Sequence, residues 1–127
     1  MKIGEGNKLI AEFMEWEQAP GLPSIWIPNG NCPFSNKIPT SAPITKGLCF
    51  NKSWDWLIPV VEKIESINAR GVYTVYILQQ YCAIKFQDET DWLICETEAK
   101  DSVSKIDAVW QTVIKFIKQR NESNSSL

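Results

Sequence analysis

The stretch SWDWLIPVVEKIE, residues 53–65, contains the clearest helix start in the chain. Ser53 suits the N-cap position because its hydroxyl can satisfy an unpaired backbone donor. Asp55 places a negative charge in the first turn, where the helix dipole favours it. The spacing of the apolar residues predicts a helix that continues to about Ala69 and ends at Gly71.

The residues after this helix predict a three-stranded sheet. β-branched and aromatic residues dominate Val72–Leu78, and Cys82–Phe86 alternates with Cys82, Ile84 and Phe86 on one face. Asp91–Thr97 is a third segment of the same kind. Short polar connections separate the three segments, which favours an antiparallel meander.

Two further helices flank these elements. Asn7 is predicted to cap a helix from Lys8 to Glu17, whose apolar residues recur at helical spacing. A last amphipathic helix begins near Ser102 or Ser104. The sequence therefore predicts an α+β fold of order α–loop–α–β–β–β–α, in which about three helices pack against a three-stranded antiparallel sheet.

The length of 127 residues indicates one domain, which we place at residues 1–120. Residues 121–127 are a polar tail that we expect to be disordered. Residues 18–52 are predicted to be a long irregular loop. They hold six of the seven prolines, and proline disfavours long helices and strands.

This loop also carries apolar and aromatic residues, so two interpretations stay open. It covers the core as an outer layer, or it forms a surface that binds a partner. Aromatic residues supply much of the binding energy at protein interfaces. The candidate contact residues are therefore aromatic side chains of this loop and of the helix start that follows it: Trp26, Phe34, Phe50 and Trp54.

Three carboxylates, Asp88, Glu89 and Asp91, cluster between the second and third predicted strands. They are typical of a turn rather than of a calcium loop, which needs a glycine and a final glutamate in a fixed frame. The net charge of −2 and the pI near 5.2 argue against non-specific binding to nucleic acid. An acidic protein can still bind a basic partner, including the basic channel of a nucleic-acid enzyme, and these carboxylates are the candidates for such a contact.

The chain contains no histidine, which excludes Ser-His-Asp and Cys-His nucleophile systems and HExxH metal sites. It also lacks a glycine-rich phosphate loop. Cys82 and Cys95 lie in predicted strands and are expected to be small core residues, with a zinc site built from all four cysteines as the alternative. We therefore expect a protein that is not an enzyme and that uses no cofactor and no metal.

No apolar run is long enough to cross a membrane, and the residues after Met1 lack the apolar region of a signal peptide. We therefore expect the protein to act in the cytoplasm. No contact with a membrane is expected.

Three blocks of the sequence resemble a known group of proteins. They are NKLIAEFM at residues 7–14, SWDWLIPVVEKIE at residues 53–65, and SKIDAVW at residues 104–110 with its continuation to Lys118. The group consists of short proteins found in Bacteroidota genomes and in their phages and prophages. The resemblance implies an origin and a shared scaffold, but no known reaction. Members often carry a histidine where this chain has Asn51.

A small acidic phage-associated protein without catalytic groups is similar to the stoichiometric inhibitors of host defence, and the resemblance extends to the type VI-B anti-CRISPR group. It implies an anti-CRISPR that binds a type VI-B RNA-guided RNA nuclease in the host cytoplasm and blocks RNA loading or activation. The alternative is a non-catalytic phage or host adaptor that binds a replication or packaging protein.

Overall fold

A computed structural model describes residues 2–27, 48–67 and 71–125 of the chain. The fold is α+β, as the sequence predicts. The chain divides into two compact units, Met1–Val60 and Val61–Leu127, where the sequence predicted one domain. The α-helices and strands of the described residues are α1 (Ile3–Phe13), β1 (Glu17–Ala19), β2 (Leu22–Ile27), α2 (Trp54–Ser66), β3 (Val72–Leu78), β4 (Tyr81–Gln87), β5 (Asp91–Thr97) and α3 (Lys105–Ser125), with a short 3₁₀ helix at Ala99–Asp101.

Helix α1 begins earlier than predicted, so Asn7 lies inside it rather than at its N-cap. The Asn7 side chain is 3% exposed, and its amide nitrogen donates to the Leu48 carbonyl at 3.0 Å and to Asn51 Oδ1 at 3.0 Å. These bonds join α1 to chain that is about forty residues away in sequence. Buried amide groups need hydrogen-bond partners. The sequence pattern around Asn7 does not show which distant residues supply them.

The C-terminus of α1 is a Schellman motif. The Trp16 backbone N–H donates to the Ala11 carbonyl and the Glu15 N–H donates to the Glu12 carbonyl. Glu15 has a φ of 64°, the left-handed conformation that this motif requires. The helix therefore ends at Phe13, and the predicted extension to Glu17 is wrong.

A two-stranded antiparallel hairpin, β1–β2, occupies the start of the predicted irregular loop. Gly21 lies in its turn with a φ of 74°, which glycine adopts without steric cost. Trp26 pairs with Gln18 across the hairpin. Residues 28–47 of the predicted loop lie outside the described residues, and residues 48–52 lead by turns into α2.

Helix α2 ends at Ser66, before the predicted Ala69. Gly71 is therefore not its C-terminal cap, and it meets a different constraint. A Cβ atom at this position would lie 2.5 Å from the Gln87 carbonyl oxygen and 2.6 Å from the Phe86 ring. Only glycine allows the chain to pass this close to β4 as it enters β3.

The C-terminal unit contains the predicted antiparallel meander, with strand order β3-β4-β5. Tyr73 pairs with Phe86, and Phe86 pairs with Trp92, so three aromatic residues lie in one row across the sheet. The register shifts between Ile84 and Lys85, which places a bulge in β5. Such a bulge bends the strand and re-aims the side chains that precede it.

Helix α3 packs on one face of this sheet through a buried pair of threonines. Thr112 Oγ1 lies 2.8 Å from Thr97 Oγ1 on β5 and 2.8 Å from the Ala108 carbonyl of its own helix. Lys115 Nζ donates to Thr97 Oγ1 at 3.1 Å. Both threonines are fully buried, so their hydroxyls satisfy each other where water does not reach.

Side chains of α3 also cover part of the free edge of β5. Lys115 Nζ donates to the Glu96 carbonyl at 2.7 Å, and Gln119 Nε2 donates to the Ile94 carbonyl at 3.1 Å. An uncovered edge strand is a template for pairing with another chain. The C-terminal half of β5 is therefore protected by α3.

The opposite edge of the sheet, formed by β3, is capped by a carboxylate of α2. Glu65 Oε2 accepts a hydrogen bond from the Val75 backbone N–H at 3.1 Å. Since this N–H is engaged by a side chain, it is not available to a further strand.

The start of α3 matches one of the two predicted caps. Ser104 Oγ accepts from the Asp107 backbone N–H, and Asp107 Oδ2 accepts from the Val103 N–H, an arrangement close to a capping box. The helix continues to Ser125. The expected polar tail is thus helical through that residue, because it extends a helix that is already formed and Gln119 holds the preceding turn to β5.

None of the helices in the described part of the chain is long and apolar enough to span a membrane.

The threonine pair yields a test of what holds α3 to the sheet. Thr112→Val removes one hydroxyl and leaves that of Thr97 without this partner, so we expect the free energy of unfolding to fall by about 1–3 kcal/mol. Replacing both residues by valine removes the mismatch, and we expect the double variant to lose less than the sum of the single variants. Urea denaturation of the four proteins measures both values. Strict additivity would contradict the pairing.

Candidate partner-binding surface

The predicted aromatic contact residues occupy different environments. Trp26 is 6% exposed and Phe50 is fully buried, whereas Trp54 at the start of α2 is 37% exposed. Phe34 lies outside the described residues. The expectation that Trp26 and Phe50 offer their side chains to a partner is therefore corrected, since both belong to the core of the N-terminal unit.

Phe50 is the centre of an aromatic cluster. Its ring centroid lies 5.1 Å from that of Trp16 and 5.3 Å from that of Trp56, and Trp16 and Trp56 are 5.6 Å apart. Edge-to-face pairs of this kind stabilise cores beyond the area they bury. Of the two tryptophans in SWDWL, Trp56 thus packs inward and Trp54 remains partly in solvent.

The three acidic candidates lie together at the connection between β4 and β5, and all three are exposed. Asp88 shapes this turn, because its Oδ1 accepts from the Thr90 N–H at 2.9 Å. That hydrogen bond to the carboxylate lowers the pKa of Asp88 below its ordinary value. Glu89 and Asp91 make no ion pair within the described residues, so their charges face solvent.

The sequence did not indicate that two residues after this turn are exposed. Trp92 is 58% exposed and Leu93 is 53% exposed. The apolar letters of DWLIC suggest a buried strand, but β5 is an edge strand and its bulge sets the register. We call the exposed group Asp88, Glu89, Asp91, Trp92 and Leu93 the acidic hairpin tip.

The face of the sheet opposite α3 carries both apolar and charged groups. Lys85 Nζ lies 5.3 Å from the Tyr76 ring centroid, a cation–π distance. Exposed apolar side chains border this pair; they are Val72, Leu78 and Leu93. The register places Tyr76, Tyr81, Lys85 and Glu96 on this face.

Tyr81 and Glu96 form the shortest polar contact of this face. The Tyr81 hydroxyl donates to Glu96 Oε2 at 2.6 Å. This hydrogen bond, followed by burial and by the negative charge of Glu96, raises the pKa of Tyr81 to about 12. The phenol therefore stays protonated at every physiological pH and acts as a hydrogen-bond donor rather than as a base.

The cysteines of the sheet are core residues, as predicted. Cys82 is fully buried and Cys95 is nearly so. Burial raises the pKa of Cys82 to about 11 and that of Cys95 to about 12. Because the thiolate is the reactive form, neither thiol is prepared for nucleophilic attack or metal binding at neutral pH. Within the described residues, no three cysteine or carboxylate side chains come together as a metal site.

Comparison with known proteins does not add to this description: no protein-family model, curated protein or solved structure matches the chain.

Alanine substitutions at Phe50 and Trp54 test which of the two side chains belongs to the core. Phe50→Ala empties the centre of the aromatic cluster, and we expect a loss of about 3–5 kcal/mol in the free energy of unfolding. Trp54→Ala removes a partly exposed side chain, and we expect a clearly smaller loss. Thermal and urea denaturation of the two variants measure the difference. Equal losses would show that Trp54 is as deeply packed as Phe50.

The Tyr81–Glu96 hydrogen bond predicts a pH dependence. The pKa of Tyr81 in the folded state lies above its value in the unfolded state. The stabilisation that this hydrogen bond supplies is therefore present below pH 10 and is lost as the pH rises towards about 12. Glu96→Gln should lower the pKa of Tyr81 towards 10, as read from the ζ-carbon resonance in an NMR titration. Glu89→Gln is the matched control and should leave the titration unchanged. An unaltered Tyr81 titration in Glu96→Gln would refute the assignment.

Proposed function

We propose that the protein is a phage-encoded anti-defence protein that acts by binding and not by catalysis. Its proposed target is a type VI-B RNA-guided RNA nuclease, which makes it an anti-CRISPR. The observation that carries the proposal is the acidic hairpin tip, where exposed Trp92 and Leu93 directly follow three exposed carboxylates. The resemblance of the three sequence blocks to phage-associated proteins supports the choice of target.

The tip combines the two features of an effective contact surface. Trp92 supplies a large apolar side chain of the type that dominates binding energy at interfaces. Glu89 and Asp91 supply negative charge, which speeds encounter with a positive surface and selects against acidic partners. A protein that holds RNA must carry clusters of Lys and Arg along its channel. The acidic tip is therefore complementary to the place where such a nuclease binds RNA.

The contact extends beyond the tip. A stable protein–protein interface covers about 800 Å² on each partner, which is more than one hairpin turn supplies. The neighbouring sheet face offers further exposed apolar side chains, with Leu93 shared between the two surfaces and Tyr76 and Val72 beyond it. In this proposal, the tip enters the basic channel and the sheet face rests on its rim, so RNA loading or activation is blocked.

The proposal is tested with purified type VI-B nuclease in a binding assay and an RNA-cleavage assay. Trp92→Ala should weaken binding by about tenfold or more, because it removes the central apolar contact. The double variant Glu89→Lys/Asp91→Lys should weaken binding further and reduce its dependence on salt. Glu62→Lys is the matched control, since Glu62 is an exposed carboxylate on α2, and it should retain inhibition.

Two results would decide against this function. If the Glu89→Lys/Asp91→Lys variant inhibited the nuclease fully, the acidic hairpin tip would not be part of the contact. Capture of a replication or packaging protein from host extract, with no recovery of the nuclease, would favour the adaptor function instead.

A further inference from the structure

A pocket of about 240 Å³ lies in the C-terminal unit, between the sheet and the last turns of α3. Six residues line it: Tyr73, Ile94, Phe116, Gln119, Arg120 and Ser123. It is separate from the carboxylates of the acidic hairpin tip, and nothing in the proposed function uses it.

The apolar part of the lining is aromatic and fixed. The Tyr73 ring packs edge-to-face against Phe116 at 5.1 Å between centroids, and it contacts Phe86 at 5.0 Å. Phe116 is buried in the core beneath the pocket. A ring held by two others offers a preformed apolar surface, which costs little ordering on binding.

The polar part of the lining comes from α3. Gln119 is held in place by its hydrogen bond to the Ile94 carbonyl at 3.1 Å. Arg120 is exposed and has no ion pair or hydrogen-bond partner within the described part of the chain. Ser123 lies one turn further along the helix and adds a hydroxyl. The strongest donor of the pocket is thus an uncommitted guanidinium beside an aromatic wall.

We infer that this pocket binds a small free anion that carries an aromatic or aliphatic body, of the aryl-carboxylate class. The body packs on Tyr73 and Ile94, and the carboxylate accepts hydrogen bonds from Arg120. A guanidinium matches a carboxylate in shape as well as in charge.

The end of the α3 dipole opposes an anion, because a helix C-terminus carries partial negative charge. This effect is confined to the last turn and is screened by salt. The contact with Arg120 is direct and charge-assisted. The guanidinium of Arg120 therefore makes the pocket prefer anions over neutral molecules and cations.

Titration of the full chain with phenylacetate, followed by ¹H–¹⁵N NMR, tests the inference. We expect saturable shifts at the backbone amides of Tyr73, Ile94 and Ser123. The neutral analogue 2-phenylethanol should bind at least about fivefold more weakly than phenylacetate, and phenethylamine should not bind. Both molecules lack the anion that Arg120 recognises.

Variants on one helix complete the test. Arg120→Gln should weaken phenylacetate binding by about fivefold or more and leave the 2-phenylethanol affinity unchanged. Lys118→Gln removes an exposed charge of the same sign outside the lining, and it should change either affinity by less than about twofold. The inference is overturned by equal affinity for the acid and the amine, by shifts that do not saturate, or by an Arg120→Gln protein that binds phenylacetate normally. These outcomes do not depend on whether the nuclease is the target.

Discussion

The buried contact between Thr112 on α3 and Thr97 on β5 fixes the geometry of the C-terminal unit. Hydrophobic packing alone would let a helix slide along a sheet, because apolar contacts are not directional. A hydroxyl pair at 2.8 Å accepts one register only. That register places Lys115 and Gln119 opposite the β5 carbonyls and brings Arg120 to the rim of the pocket. Protection of the β5 edge and the pocket both follow from this one pairing.

The strands and the amphipathic helix of this unit could be predicted from the sequence because their signals are local. β3 carries β-branched and aromatic residues, and Ser104 with Asp107 marks a helix start in four residues. Cys82 and Ile84 lie on the face of β4 that was predicted to carry the apolar residues, and both are fully buried. Each of these features depends on residues a few positions apart, which is the range that sequence patterns report.

The features that escaped prediction depend on distant contacts. Asn7 resembles a helix cap until Leu48 and Asn51 are brought beside it. Phe50 lies in a proline-rich region, and its burial depends on Trp16 and Trp56. Of the predicted surface, the three carboxylates of the hairpin turn are exposed, and the exposed aromatic residue beside them is Trp92. A bulge and an edge position decide its exposure, and neither has a reliable sequence signal.

Within the described residues, helix side chains cover parts of both edges of the three-stranded sheet. Glu65 holds the Val75 N–H, and Lys115 and Gln119 hold carbonyls of β5. Such covers last only while the helices that carry them remain folded. Local unfolding of α3 would therefore expose the backbone edge of β5 to pairing with another chain while the sheet is still folded. Any step that undocks α3 therefore also exposes a strand edge that can pair with a second chain, so firm docking of the last helix protects the protein from self-association.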